Sequence, residues 1–115
     1  MLIAFLFWVP AIFSQTTFVP FGAIWHYLDD GSNQGEAWRH PDFDDSDWAS
    51  GPAELGYGER DEATVVSYGP EVVNKHITTY FRHAFRVKNP DFVPGLRFDV
   101  IRDDGAVLYV NGEEV

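Results

Sequence analysis

Alternation of side chains with a period of two is the feature that most constrains the fold of this chain. Residues 76–87, "HITTYFRHAFRV", and residues 96–102, "LRFDVIR", both show it. Successive side chains of a strand point to opposite faces, and no stretch carries apolar residues at helical spacing. The first segment divides into two sides: Phe81, Phe85 and Val87 against Tyr80, Arg82 and Arg86. The sequence therefore predicts an all-β fold with antiparallel strands.

Turn residues indicate where these strands end. Asn111-Gly112 separates "AVLYV" from "EEV" and predicts a two-residue hairpin, because both central residues of a type I′ turn need positive φ. Asp103-Asp104-Gly105 predicts a second turn, between "LRFDVIR" and "AVLYV". Further strands are expected in "FGAIWHYL" and "ATVVSYG". Six or seven strands result, whereas a jelly-roll sandwich has about eight, so we expect a β-sandwich truncated at its C-terminus, with the last strands missing.

The stretch between the first two predicted strands is rich in Asp, Ser, Pro and Gly. Trp38, Phe43 and Trp48 recur in it at five-residue spacing, which fits neither a helix nor a strand. We interpret it as a compact loop whose aromatic side chains point inward, with Asp45 or Ser46 capping a single turn before Trp48.

The N-terminus predicts export. Residues 1–13, "MLIAFLFWVPAIF", are uncharged and precede Ser14 and Gln15, as in a secretory signal, and the run is too short to span a bilayer. We assign residues 1–15 to a signal peptide, with a buried strand as the alternative, and residues 16–115 to one domain. The chain has no cysteine, hence no disulfide, which agrees with a secreted or cell-envelope protein of bacterial type.

Charge excludes one class of partner. The net charge is -10, and residues 29–62 hold eleven acids against two bases. Nucleic acid is a poor partner for such a surface, because binding phosphates needs clustered Lys and Arg.

Three motifs in order carry a resemblance to a known family. They are "FDDSDW" within "IWHYLDDGSNQGEAWRHPDFDDSDWASGPAELGYG", "YFRHAF", and the Asn-Gly hairpin of "RDDGAVLYVNGEEV". This set resembles the galactose-binding-like β-sandwich domains of secreted bacterial proteins and, more distantly, the sugar-binding domain of family 2 glycoside hydrolases. The resemblance covers residues 22–115 and implies a jelly-roll fold.

The resemblance implies two functions. The first is a non-catalytic carbohydrate-binding or adhesion module of an exported multidomain protein. The second is an accessory domain of a secreted hydrolase, in particular a calcineurin-like metallophosphoesterase, whose catalytic domain lies downstream. A structural spacer is a further alternative that the resemblance leaves open. The Asp-x-His and Gly-Asn-His signatures of such enzymes and the Gly-x-Ser-x-Gly elbow are absent from the sequence. We therefore expect no enzyme activity in this chain itself.

Five residues are candidates for binding. Tyr57 and Tyr68 lie in loops among glycines and can stack on the C–H face of a sugar ring. Arg82 can donate to two hydroxyls at once, or else pair with an acid. Asp103 and Asp104 are candidate ligands of a structural Ca²⁺, although Ca²⁺ needs six to eight oxygens and Asp-Gly also makes an ordinary turn.

Overall fold

The structure is a computed structural model that describes residues 14–115, so most of the predicted signal peptide lies outside the described residues. Between residues 14 and 115, strands dominate and helix is confined to two short 3₁₀ helices, which confirms a β-rich fold. In this range no helix is long and apolar enough to cross a membrane. The strands are β1 (Ile24–Leu28), β2 (Ala49–Pro52), β3 (Leu55–Gly56), β4 (Thr64–Val65), β5 (Tyr80–Arg82), β6 (Tyr109–Val110) and β7 (Glu113–Glu114); the 3₁₀ helices are Ala37–Arg39 and Pro90–Phe92.

The largest sheet has three strands in the order β2-β1-β5, and both pairings are antiparallel, as predicted. His26 of β1 lies opposite Ser50 of β2 and opposite Arg82 of β5. Directly paired residues project from the same face of a sheet. His26 and Arg82 therefore lie on the same face of the sheet. Asp45, from the loop between β1 and β2, contacts both of them there.

That loop covers the sheet with aromatic rings, as the sequence predicted. Trp38 packs edge-on against Tyr80 with ring centroids 5.0 Å apart, and Phe43 packs edge-on against Trp48 at 5.7 Å. Trp48 also approaches Tyr80, at 6.2 Å. Edge-to-face arrangements at these distances are favourable for aromatic pairs. The loop is thereby fixed to β5, although its chain has almost no regular structure.

The β6-β7 hairpin forms as predicted. Asn111 and Gly112 have φ of 51° and 88°, the positive values that a type I′ turn requires. The hairpin lies against the first 3₁₀ helix: Tyr109 meets Trp38 edge-on at 5.7 Å, and the Arg39 guanidinium lies 4.8 Å from the centre of the Tyr109 ring. Aromatic contact therefore connects the end of the chain to the loop before β2.

β3 forms where the sequence predicted a loop, whereas β4 lies within the strand predicted in residues 63–69. β3 pairs with β4 in parallel, Leu55 with Thr64 and Gly56 with Val65. The two residues of β3, Leu55 and Gly56, show no alternation that could indicate a strand, and the parallel direction of the pair differs from the antiparallel pairing that was predicted. Val66, directly after β4, is the only apolar residue of the described range that is buried, at 4% exposure.

Several predicted strands are shorter than expected. The strand predicted in residues 76–87 forms only over Tyr80–Arg82, and residues 96–102 form none. Alternation favours an extended backbone, but a strand also needs a partner for its N–H and C=O groups, and no such partner lies beside 96–102 among residues 14–115. Alternation suggested that Phe81 and Arg82 of β5 lie on an apolar and a polar side, respectively. In the structure the loop covers Arg82, whereas Phe81 is 36% exposed.

Candidate functional site

Tyr57 and Tyr68, predicted separately from their loops, lie side by side. Their ring centroids are 5.2 Å apart with the planes tilted by 58°. The Lys75 ammonium lies over both rings, 5.0 Å from the centre of Tyr57 and 5.5 Å from that of Tyr68. Both tyrosines are half-buried and Lys75 is exposed. We call Tyr57, Tyr68 and Lys75 the tyrosine site.

The parallel β3-β4 pair explains why the two tyrosines meet. Tyr57 follows β3 directly, and Tyr68 lies three residues beyond β4. The ladder is extended by a hydrogen bond of 3.0 Å from the N–H of Val66 to the carbonyl of Gly56. Parallel strands end at the same edge of their sheet. The residues that follow β3 and β4, among them Tyr57 and Tyr68, therefore lie at the same edge of this sheet. Burial of Val66 stabilises the position of the chain that leads to Tyr68.

The loop that carries Tyr68 is held by residues distant in sequence. The N–H of Ser67 donates to the Asp29 carboxylate, and the N–H of His76 donates to the carbonyl of Tyr68 at 2.8 Å. His76 also donates through Nδ1 to the carbonyl of Asp29 at 2.9 Å, because a carbonyl can only accept. Asp29 and His76 thus connect the end of β1 to this loop.

Gly69 is required in the same loop. Its φ is +98°, and a Cβ at this position would lie 2.7 Å from Nε2 of His76. Both the positive φ and the close ring exclude a larger residue. Gly69 and His76 therefore fix the backbone conformation beside Tyr68 before any ligand binds.

The loop that carries Tyr57 is ordered by one carboxylate. Glu62 accepts hydrogen bonds from the backbone N–H groups of Glu59, at 2.8 Å, and Arg60, at 2.9 Å. Backbone hydrogen bonds, first that of Glu59, lower the pKa of the Glu62 carboxyl. This acid is therefore ionised at neutral pH, and its charge is directed at main-chain donors.

This arrangement suits a ligand with an apolar face and polar edges. Aromatic rings provide rigid, flat contact area, while the tyrosine hydroxyls and the lysine ammonium provide hydrogen bonds.

Arg82, the third residue predicted to bind a ligand, is engaged within the protein. Its Nε donates to Asp45 at 2.7 Å, and its two terminal nitrogens donate to main-chain carbonyls of the loop above. The acceptors are the carbonyls of Trp38, of His40 at 3.1 Å and of Phe43 at 3.4 Å. The side chain is only 16% exposed. The alternative considered from the sequence, pairing with an acid, is thus what the structure shows.

Asp45 is the centre of a second polar cluster. Besides Arg82, its carboxylate meets Nδ1 of His26 at 2.9 Å. Burial opposes ionisation of Asp45, but the hydrogen bonds from Arg82 and His26 outweigh it and lower the pKa of the carboxyl. The turn before Trp48 is instead stabilised by Asp44, whose carboxylate accepts from the N–H of Ser46 at 3.0 Å. The prediction that Asp45 or Ser46 caps this turn was wrong, because Arg82 occupies the Asp45 carboxylate.

Asp103 and Asp104, the candidate Ca²⁺ ligands, lie exposed at a bend. The carbonyl of Asp104 accepts a hydrogen bond of 3.0 Å from Arg102. Within the described part of the chain, no group of three or more His, Asp or Glu residues is arranged to hold a metal ion. The expected hairpin around this bend is not formed, because residues 96–102 form no strand and β6 pairs with β7 instead. Ca²⁺ binding here remains a prediction from the sequence.

Sequence reasoning missed three residues that build the tyrosine site: Lys75, His76 and Asp29. Lys75 and His76 lie seven or more residues from either tyrosine, and Asp29 is further still. Lys75 is one of two lysines in a strongly acidic chain, and that scarcity was the one signal that could have drawn attention to it. Comparison with family models, curated proteins and solved structures finds no match to the chain, so the proposal that follows depends on this geometry.

Proposed function

We propose that this chain is a non-catalytic carbohydrate-binding module of an exported bacterial multidomain protein, and that the tyrosine site holds the sugar. The observation that carries the proposal is the convergence of Tyr57 and Tyr68, from two loops, to 5.2 Å with part of each ring open to solvent. The domain belongs, in this proposal, to the galactose-binding-like jelly-roll sandwiches that the three sequence motifs resemble. Loops positioned by a rigid scaffold are the usual place for binding residues.

The shape of the site suits a sugar, and the charge of the chain disfavours nucleic acid. Two tilted rings offer a shallow apolar surface, onto which the C–H face of a pyranose can pack while its hydroxyls remain hydrated. The net charge of -10 disfavours nucleic acid. Asp29, His76 and Glu62 order the backbone of the two loops, which reduces the entropy of loop ordering that is lost when a ligand binds.

Glycan-array binding followed by calorimetry tests the proposal. We expect Tyr57→Ala and Tyr68→Ala each to weaken binding at least about tenfold, as truncation of a central tyrosine commonly does. Phe92→Ala is the matched control, because Phe92 is an aromatic residue that is 84% exposed and outside the site. Runs with and without chelator separate any Ca²⁺ at Asp103 and Asp104 from sugar binding. Absence of glycan binding in both conditions would refute the proposal.

An accessory domain of a secreted hydrolase is the second candidate. Two exposed apolar side chains favour it, Val73 at 96% and Ile77 at 101% exposure, each two residues from Lys75 in the sequence. Contiguous exposed apolar residues commonly mark contacts with another domain. In that case Val73→Ser and Ile77→Ser would weaken docking to the neighbouring domain and leave glycan binding unchanged, whereas the first proposal requires loss of binding through the tyrosines.

A further inference from the structure

Lys75 is an unpaired cation in a strongly acidic chain. Acids outnumber bases by 18 to 8, yet none of the four ion pairs found among residues 14–115 includes Lys75. Its ammonium lies instead over the rings of Tyr57 and Tyr68. Ring faces attract cations, but they provide no hydrogen-bond acceptor comparable to a carboxylate. The three donors of Lys75 are therefore available to an anionic group that reaches the rings.

The carboxylates that order the two tyrosine loops are directed elsewhere. Glu62 accepts from two main-chain N–H groups of its own loop, and Asp29 accepts from the N–H of Ser67. Both carboxylates therefore accept hydrogen bonds from backbone N–H groups and form no ion pair with Lys75. A ligand approaching the tyrosine site consequently meets the exposed ammonium of Lys75 beside two aromatic rings.

From this placement we infer that the tyrosine site selects anionic sugars: the pyranose ring stacks on Tyr57 and Tyr68, and its carboxylate or sulfate group pairs with Lys75. The inference rests on the proposed function and adds the class of ligand to it. A substituent of a stacked ring projects from the ring edge, and the ammonium lies about 5 Å from both ring centres. A charge-assisted hydrogen bond at that edge adds both affinity and orientation.

The test compares polyuronates with their own methyl esters, in which an uncharged ester replaces each carboxylate on the same sugar chain. The probes are polygalacturonate, alginate and hyaluronate, each with its fully esterified form, and a sulfated galactan with its desulfated form identifies the sulfate source. We expect at least one charged polymer to bind about tenfold more tightly than its neutral form, and the preference to decrease with added salt.

Variants at Lys75 assign the effect to this residue. Lys75→Met keeps an unbranched side chain on the rings and should abolish the preference for the charged polymer, whereas Lys75→Arg should retain it. Lys88→Met, at the other lysine of the chain, changes the net charge equally and should leave the preference intact. Tyr68→Ala should weaken binding of charged and neutral polymers alike.

The outcomes separate the inference from the proposed function. Equal binding of acids and esters, with a Tyr68→Ala loss, would overturn the inference and leave carbohydrate binding in place. Tighter binding of neutral polymers by Lys75→Met would also overturn it, because Lys75 would then merely cover the rings. No binding of any polymer would overturn both.

Discussion

Replacement of Arg82 by Met should destabilise the domain more than any other change to a charged side chain. The guanidinium neutralises Asp45 and donates to the carbonyls of Trp38 and His40. Its side chain is 16% exposed and that of Asp45 is 25% exposed, so water screens the pair only partly. Met keeps the length and the apolar part of the side chain but leaves the Asp45 charge without its strongest partner.

The expected cost follows from these contacts. A hydrogen bond to a charged group contributes about 1.5–3 kcal/mol, and removal of one partner of a fully buried pair costs about 3–5 kcal/mol. For this half-buried pair we expect a loss of about 3 kcal/mol in the free energy of unfolding. A small domain has a total of about 5–15 kcal/mol, so this single change would remove about a fifth to three fifths of the free energy of unfolding.

Urea-induced unfolding followed by tryptophan fluorescence measures the loss. Trp38 and Trp48 both lie in the loop that Arg82 holds, so the emission reports on the affected region. Arg82→Lys should recover less than half of the loss, because an ammonium cannot reach carbonyls and carboxylate with a planar fork. The matched control is Arg97→Met, because Arg97 pairs with Asp99 but is 78% exposed, and it should cost less than about 1 kcal/mol. Equal losses for Arg82→Met and Arg97→Met would refute the role assigned to Arg82.

Two further predictions concern packing and pH. Gly51→Ala should destabilise the domain by about 1–3 kcal/mol in the same assay, because the new Cβ would lie 2.4 Å from Oγ1 of Thr64. Gly95→Ala is the control and should leave the stability unchanged, because no atom lies within 4 Å of the new Cβ. An unchanged stability for Gly51→Ala would contradict the packing described. Because hydrogen bonds from Arg82 and His26 lower the pKa of Asp45 despite its burial, its contribution is complete above the unfolded pKa of about 3.9 and is lost as pH falls through the folded pKa. The difference in unfolding free energy between the native chain and Asp45→Asn should therefore shrink from pH 6 to pH 3, and a constant difference would show that ionised Asp45 is not involved.

Much of the β-rich fold was predictable because its determinants are local. The positive φ angles of Asn111 and Gly112 follow from their residue types, and the inward Trp38 follows from a large apolar group in a polar loop. β2 and β3 were missed, because their residues, "ASGP" and "LG", lack the β-branched and aromatic composition of a strand. Their place in the sheets is due to pairing with β1 and β4.

The candidate site was predicted in part for the same reason. Tyr57 and Tyr68 could be named because glycines around them indicate exposed loops, whereas their proximity could not. It depends on a parallel strand pair and on Asp29 and His76, which are distant in sequence. Arg82 was recognised as a residue with capacity for several hydrogen bonds, but its acceptors lie 37 to 44 residues away.

The sequence by itself determined the β-rich class, the hairpin at Asn111-Gly112 and the choice of Tyr57 and Tyr68 as the tyrosines proposed to hold a sugar. Backbone preference and side-chain chemistry are properties of single residues and their neighbours. Only the tertiary structure decided that Arg82 holds the acidic loop through Asp45, and that Lys75 lies unpaired over Tyr57 and Tyr68. The physical reason is that the interactions of a charged side chain depend on the groups around it. For Arg82 and Lys75 those groups come from segments distant in sequence, which only folding brings together.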